Sequence, residues 1–299
     1  MEKVKLDSTV SIVIPNYNGS ECLRRLLPSV AKQTFLNYEV VIIDDCSPDR
    51  SVIDYIRAFI GDHGNMRLVE NEENIGFVRT CNKGIRLSAA KYVCILTNDT
   101  EIRPTLLQEC VSAMDKDDSI AVLSSIVTDK NGKIWFSGGR YKGGIPVKLT
   151  DDFQGIRPVD WVAGTAPFYR RDVFDKVGLL DEHYFMYHED VEFSLRVRHR
   201  IGSRVCMLGQ RLVTHHEAFS LPRSQSYYYT TRNLFLILRQ YCRNRMYHIY
   251  LMNIAFLYVP RSILISVFLS LRKCSLREFL ASFRSLHMIR GAYDGLTKA

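Results

Sequence analysis

Over its first hundred residues the chain alternates short β-branched apolar runs with amphipathic stretches of helical period, and few folds accept that alternation. Val10–Ile14, Glu39–Ile43, Met66–Glu70 and Tyr92–Leu96 read as strands. Gly19–Gln33, Ser51–Ile60 and Asn82–Ala90 read as the helices between them, the first with Leu23, Leu26, Leu27 and Val30 on one face. The pattern predicts a parallel sheet built from βαβ units. Leu106–Met114 and Ile120–Ile126 continue it as helix and strand, and then the rhythm breaks. From Asp129 to Val159 the chain is rich in glycine and polar residues (SGGRYKGG), as suits a long loop or small hairpin over a binding face. Trp161–Tyr169 reads as strand, Arg171–Val177 and Val191–Arg200 as helices, Val205–Leu208 as a short strand, and Ser224–Arg239 as helix.

Open α/β sheets bind ligands beyond the carboxyl ends of their strands, and acidic residues cluster there. The run YVCILTNDTEI stops on a turn with Asp99 at its tip, where a divalent cation carrying phosphates would find an oxygen ligand. The same Asn-Asp turn would also simply close a strand. Asp44-Asp45 follows the second strand and could accept hydrogen bonds from a base or ribose, or Asp45 could cap the turn at Ser47-Pro48. His188-Glu189-Asp190 precedes the helix VEFSLRVR, whose first turn favours negative charge. It also follows the aromatic run YFMY, and a half-buried carboxylate there would have a raised pKa and suit a general base. His215-His216 follows RLVT and offers either a metal ligand or a structural imidazole.

Charge is unevenly distributed. The net +8 divides into 17 Lys and Arg against 3 acids from Arg196 onward, hence about +14 there and about −6 before it. A cationic final third suggests an anionic surface such as phospholipid, nucleic acid or a pyrophosphate-bearing substrate. Eight scattered cysteines without CxxC spacing point to a reducing compartment. The first apolar run, ending at Pro15, is too short for a secretory signal, so a cytoplasmic protein is expected. Tyr247–Leu271 is the most apolar stretch, but Pro260-Arg261 interrupts it. A span needs about 20 apolar residues, and a central arginine is costly. An interfacial element with Arg272, Lys273, Arg277 and Arg284 at the head groups is preferred, with a buried helical hairpin and then a re-entrant or spanning hairpin as the alternatives.

SIVIPNYNG, VVIIDDCSPD, NEENIGFVRTCNKGI, ILTNDTEI, GTAPFYRRDVFDKVGLLDE, YHEDVEFSLR and HHEAFS occur in this order. Over residues 8–240 this ordered set resembles the family 2 glycosyltransferases, nearest to their rhamnosyltransferase-like branch. The resemblance implies a GT-A fold, an α/β architecture with a Rossmann-like, mostly parallel sheet flanked by helices. It implies a glycosyltransferase domain over 1–223, with a nucleotide-binding half of about 8–127 and an acceptor-binding half of about 128–223. Residues 224–299 would form a basic, apolar helical extension. The implied chemistry is inverting single displacement from a nucleotide-diphosphate sugar (UDP, dTDP or GDP), assisted by Mg²⁺ or Mn²⁺.

Carried onto this sequence, Pro15 and Tyr17 line the base pocket, Asp44 and Asp45 meet base and ribose, and Asn74 forms the nucleotide floor. Thr97-Asn98-Asp99 occupies the metal motif, with Asn98 at the nucleotide and Asp99 on the metal. Asp190 is the base, and Gly164, Thr165 and Glu189 shape the acceptor side. His215, five residues before Ser220, is the histidine that approaches the metal or diphosphate. Two departures stand out: Thr97 replaces the motif's first carboxylate, and Cys81 stands where the family often has arginine. The QxxRW motif of processive synthases is absent, so one sugar per visit is expected. The acceptor implied is a glycan, lipid-linked or part of a surface polysaccharide precursor, reached from the inner face of the cell membrane. The alternative is a non-catalytic nucleotide-sugar or glycan-binding subunit with a degenerate metal site. Nucleic-acid binding is not expected, because no aromatic platform or recognition motif accompanies the basic tail.

Overall fold

The computed structural model describes residues 8–216, 223–242, 290–291 and 293–295. Ser220, Tyr247–Leu271 and the basic residues Arg272, Lys273, Arg277 and Arg284 lie outside the described residues. Among the described residues no helix is long and apolar enough to cross a membrane.

Three βα repeats and a fourth strand open the chain: β1 (Val10–Asn16), α1 (Ser20–Ala31), β2 (Tyr38–Asp44), α2 (Ser51–Gly61), β3 (Met66–Glu70), α3 (Phe77–Leu87) and β4 (Tyr92–Ile95). Every residue of β1, β2 and β4 is buried, because helices cover both faces of a parallel sheet. Then come β5 (Thr100–Ile102), α4 (Leu106–Lys116), β6 (Ile120–Asp129), β7 (Ile134–Phe136), β8 (Gly139–Lys142), β9 (Ile145–Lys148) and β10 (Ile156–Pro158). The chain continues through β11 (Phe168–Arg170), α5 (Arg171–Val177), α6 (Glu189–Ile201), β12 (Arg204–His215) and α7 (Arg223–Tyr241). The large sheet runs β10-β12-β6-β11-β4-β1-β2-β3, with β5 on β12 and β7 on β6. Strands β1 to β4 are mutually parallel, and β11 runs antiparallel between β4 and β6.

The chain divides into two compact units, Met1–Arg140 with Val147–Phe219, and Tyr141–Pro146 with Ser220–Ala299. The first holds the large sheet. In the second, residues 290–291 and 293–295 pack on α7: Tyr228 donates to Asp294 at 2.5 Å, and Gly291 lies so near the Tyr228 carbonyl that a Cβ would come within 2.5 Å of it.

Three departures from the sequence expectation have a visible cause. Helix α3 starts at Phe77 rather than Asn82, because its start is held from outside: Asp45, at the end of β2, accepts the amides of Ile75 and Gly76 at 2.9 Å each. Gly76, at φ +88°, precedes the helix without a side-chain cap. Strand β12 extends seven residues past Leu208. Its register shifts beside Gly209–Arg211 as a bulge, and Gly209 packs so close to the 153–154 backbone that any Cβ would clash. The apolar run from Trp161 forms a strand only at Phe168–Arg170, since Gly164 and Thr165 direct their backbone groups at side chains and turns outside the ladder.

Helix α3 sits on β1 and β2 through Gly84, where a Cβ would stand 2.2 Å from Val13 Cγ1 and 3.0 Å from Ile43 Cδ1. Gly84→Ala is expected to destabilise by about 1–3 kcal/mol, despite alanine's better helix propensity. Gly61→Ala, at the end of α2 with nothing within 4 Å, should be neutral or slightly stabilising. Urea unfolding of both variants separates close packing from propensity.

Candidate active site

Strand order reverses at β1, which lies between β2 and β4, and the crevice beyond the strand ends opens there. Because Asn16 pairs in register with Asp44, both side chains emerge at one level. Asn98 donates to Asn16 Oδ1 at 2.9 Å, and Asn16 donates to Asp44 Oδ1 at 2.8 Å. Asp44 also accepts from the Ser47 hydroxyl at 2.6 Å and its amide at 2.8 Å, while Ser47 Oγ accepts the Asn18 amide. Gly19 makes room for this chain: a Cβ there would meet Asn98 Nδ2 at 2.1 Å and Asn16 Oδ1 at 2.4 Å.

Asp44 is therefore fully buried and joins the ends of β1 and β2, whereas Asp45 holds the following loop through Asn71, Ile75 and Gly76. Pro15 is buried in β1 and Tyr17 is half-buried at the crevice lip. Asn74 is exposed and lines a cavity of about 350 Å³ with Gly76, Arg79, Glu182 and Phe185. Cys81 is a core residue. Its neighbour Asn82 clamps the backbone of Leu180, donating to the carbonyl and accepting the amide.

Strand β5 pairs with the end of β12, setting Thr100 opposite His215 and bringing two distant motifs together. His215 Nε2 lies 3.0 Å from Asp99 Oδ2, and the His216 amide donates to the Asp99 carbonyl. His216 itself turns to Glu101, at 3.3 Å. Burial pushes the Asp99 carboxyl upward, but the His215 hydrogen bond and charge outweigh it, with Thr97 adding to them, and the net shift is below the ordinary carboxylate range. The Trp135 ring stands edge-on to His215 at 4.6 Å between centroids. His215 Nδ1 is buried and has no hydrogen-bond partner among the described residues.

This donor set fits a divalent cation. Asp99 and His215, which meet at 3.0 Å, would offer one carboxylate oxygen and one imidazole nitrogen, donors that suit Mn²⁺. Among the described residues no group of three His, Cys, Asp or Glu side chains could hold an ion by itself.

Thr97 takes a different part from that of a ligand. Its amide donates to the Thr165 carbonyl at 3.1 Å and its hydroxyl approaches the same oxygen at 3.4 Å. The amide of the preceding residue, Gly164, donates to Asp190 Oδ2 at 2.8 Å. A continuous bridge thus runs from the Asp99 turn to Asp190.

Asp190 lies in the first turn of α6, which begins after two consecutive left-handed residues, Tyr187 (φ +69°) and His188 (φ +66°). Such backbone costs about 1–3 kcal/mol per residue and persists only where surrounding contacts hold it. The contact on the helix is the buried Glu192–Arg196 ion pair at 2.6 Å, whose guanidinium also donates to the carbonyls of Val177 and Leu179. Burial raises the Asp190 carboxyl, opposed by the amides of Gly164 and Val191. Burial, then the charge of Asp190, raises Glu189, whose Oε2 has no partner among the described residues. Burial also lowers His188 to about 4, so its imidazole is neutral at physiological pH. Sequence reasoning missed Asn16 and Trp135; the one signal for Asn16 is its place just past the strand, in PNYNG.

Residues 11–178 match the profile described as Glycosyl transferase family 2. A Haemophilus influenzae protein named as an uncharacterized glycosyltransferase is 24% identical over 200 residues, covering 64% of this chain and 61% of that protein. The N-acetylglucosaminyl-diphospho-decaprenol L-rhamnosyltransferase of Mycobacterium tuberculosis is 23% identical over 248 residues, 73% of this chain and 79% of the relative. The crystal structure of GalNAc-T7 with UDP, GalNAc and Mn²⁺ superposes with a TM-score of 0.66 at 20% identity, over 82% of this chain and 50% of that one. The fold is GT-A. The chain spans less than two thirds of the length of the Haemophilus relative and half that of GalNAc-T7.

Because Glu189 keeps its proton to higher pH when folded than when unfolded, its contribution to stability declines as pH rises from the unfolded value toward the raised folded one. Glu189→Gln removes that penalty. The variant should match the parent near pH 4 and exceed it by more than about 1 kcal/mol near pH 8. Urea unfolding at both pH values tests this, and equal destabilisation at both would contradict a buried, proton-retaining Glu189.

Proposed function

The chain belongs to glycosyl transferase family 2, and from that premise we propose that it is an inverting, divalent-metal-dependent glycosyltransferase. It moves one sugar from a nucleotide-diphosphate sugar to a hydroxyl of a glycan acceptor. The observation that carries this reading is the bridge from the Asp99–His215 pair through Thr97, Thr165 and Gly164 to Asp190. It joins a charge-stabilising corner to a proton acceptor in one rigid frame.

In this reading Pro15, Tyr17, Asp45 and Asn74 face the nucleoside, with Asp44 and Asn98 holding the crevice wall behind it. Asp99 and His215 hold Mg²⁺ or Mn²⁺, which when bound supplies Lewis-acid charge to the departing diphosphate. Asp190 takes the proton of the acceptor hydroxyl as that oxygen bonds to the anomeric carbon and the carbon–oxygen bond to the diphosphate breaks. The nucleoside diphosphate leaves from the opposite face, which inverts the centre. Two amides aimed at Asp190 orient its carboxylate, and burial raises its basicity. Gly164, Thr165 and Glu189 line the acceptor side. The lipid diphosphate in the name of the mycobacterial relative and the cationic final third support a lipid-linked acceptor at the cytoplasmic face of a membrane.

Asp190→Asn should abolish transfer while leaving nucleotide-sugar affinity close to that of the parent. Residual turnover near the parental rate would remove Asp190 as the base. In the parent, kcat should rise with pH through a pKa above the ordinary carboxylate range, because the base acts only when deprotonated and burial raises it. Asp99→Asn and His215→Ala should each raise the Mn²⁺ concentration for half-maximal rate at least about tenfold, and activity indifferent to chelation would defeat the metal assignment.

A further inference from the structure

We propose that Arg25, on α1, binds the diphosphate of the donor beside the Asp99–His215 corner. This rests on the glycosyl-transfer reading above. Helix α1 is pinned along the segment that carries Asp99. At its start Gly19 packs on Asn98, where a Cβ would stand 2.1 Å from Asn98 Nδ2. Toward its end the Ser29 hydroxyl accepts the Ile102 amide at 3.2 Å. Cys22 and Ser29, two turns apart and both buried, lie on the face that meets this segment. Arg25 falls between them and within about 60° of each around the helix. Helical side chains lean toward the N-terminus, which here is the Asp99 end. The electrostatics agree. Burial raises the Cys22 thiol, the Asp99 charge adds to the rise and the Arg25 guanidinium opposes it, so one sulfur stands in the field of both.

The two neighbouring arginines of α1 differ in what holds them. Arg24 pairs with Glu21 at 3.8 Å and lies over the Tyr55 ring at 4.5 Å. Arg25 is exposed and makes no ion pair among the described residues, and the nearby acids Asp99 and Glu101 pair with His215 and His216 instead. A guanidinium stays charged at any working pH, and its fork of donors matches phosphate oxygens. The corner itself has one carboxylate, because Thr97 stands where a second would be and holds the Thr165 carbonyl. A metal with one carboxylate ligand is held more weakly, and a second cation on the diphosphate supports the assembly from the anion's side. Charge grows on the diphosphate as its bond to the sugar breaks, so this cation is worth more in the transition state than in the ground state. A lipid-linked acceptor also carries a diphosphate, but Asp99 and His215 beside Arg25 assign this one to the donor.

The test titrates the full chain calorimetrically with pyrophosphate, UDP and farnesyl diphosphate, with and without Mn²⁺. Arg25→Met should weaken pyrophosphate and UDP at least about tenfold and reduce the salt dependence of both. Arg25→Lys should recover part of the loss, since the charge returns without the fork. Arg24→Met removes the same charge one residue away and should bind both probes as the parent does. Mn²⁺ binding without an anion, followed by electron paramagnetic resonance, should not weaken in Arg25→Met, because the arginine acts on the diphosphate. The proposal is overturned if Arg25→Met binds pyrophosphate within about twofold of the parent, if Arg24→Met loses as much, or if the parent binds no pyrophosphate. Loss confined to pyrophosphate and farnesyl diphosphate, with UDP unchanged, overturns the assignment to the donor. An active Asp190→Asn would remove the base and leave these comparisons standing. If the parent binds UDP equally with and without Mn²⁺, the metal reading fails, and the same variants without metal still decide the role of Arg25.

Discussion

A buried run of hydrogen bonds from Asn98 through Asn16 to Asp44 fastens the ends of β4, β1 and β2 to one another, and every proposed contact with substrate is placed relative to that edge. The Asp44 carboxylate is fully buried and accepts from three groups, so replacing it would leave each donor without a partner at roughly 1–3 kcal/mol apiece. With the strand ends locked, the adjoining turns have little freedom. The Asp45 loop and the Asp99 turn therefore stand at fixed positions around the crevice.

The acids of the crevice differ in their surroundings, and their charge states follow. Asp99 is buried against His215 and remains anionic well into acid. Glu189 and Asp190 are buried with no cationic partner among the described residues to offset the burial, and their proton affinities rise. An acid held ionised suits a cation ligand, and an acid of raised basicity suits proton transfer. The frame between them is largely backbone, through Thr97, Thr165 and Gly164. That explains how a threonine at the motif's first position takes part in the site without supplying a charge.

Much of the fold was legible because βα alternation is written in the period of apolar residues. Strands β1, β2, β3 and β4 and helices α1, α2 and α4 lie within a few residues of where that period predicts them. The misses share a cause. Helix α3 begins at Phe77 through a carboxylate some thirty residues earlier in the chain, so no local capping signal marks it. Strand β12 crosses a glycine and two polar residues where the apolar run ends, yet β6 and β5 supply ladder partners beyond them.

The sequence by itself determined the class of fold, the order of the motifs and the identity of the ionisable residues, since these depend on local period and residue type. Only the tertiary structure decided which of those residues meet. His215 reaches Asp99 because an antiparallel pairing joins segments more than a hundred residues apart. Asp44 is a hub, and Thr97 a bridge, because of what packs on them. Register, burial and the direction of a hydrogen bond arise from long-range packing, and no short stretch of chain carries that information.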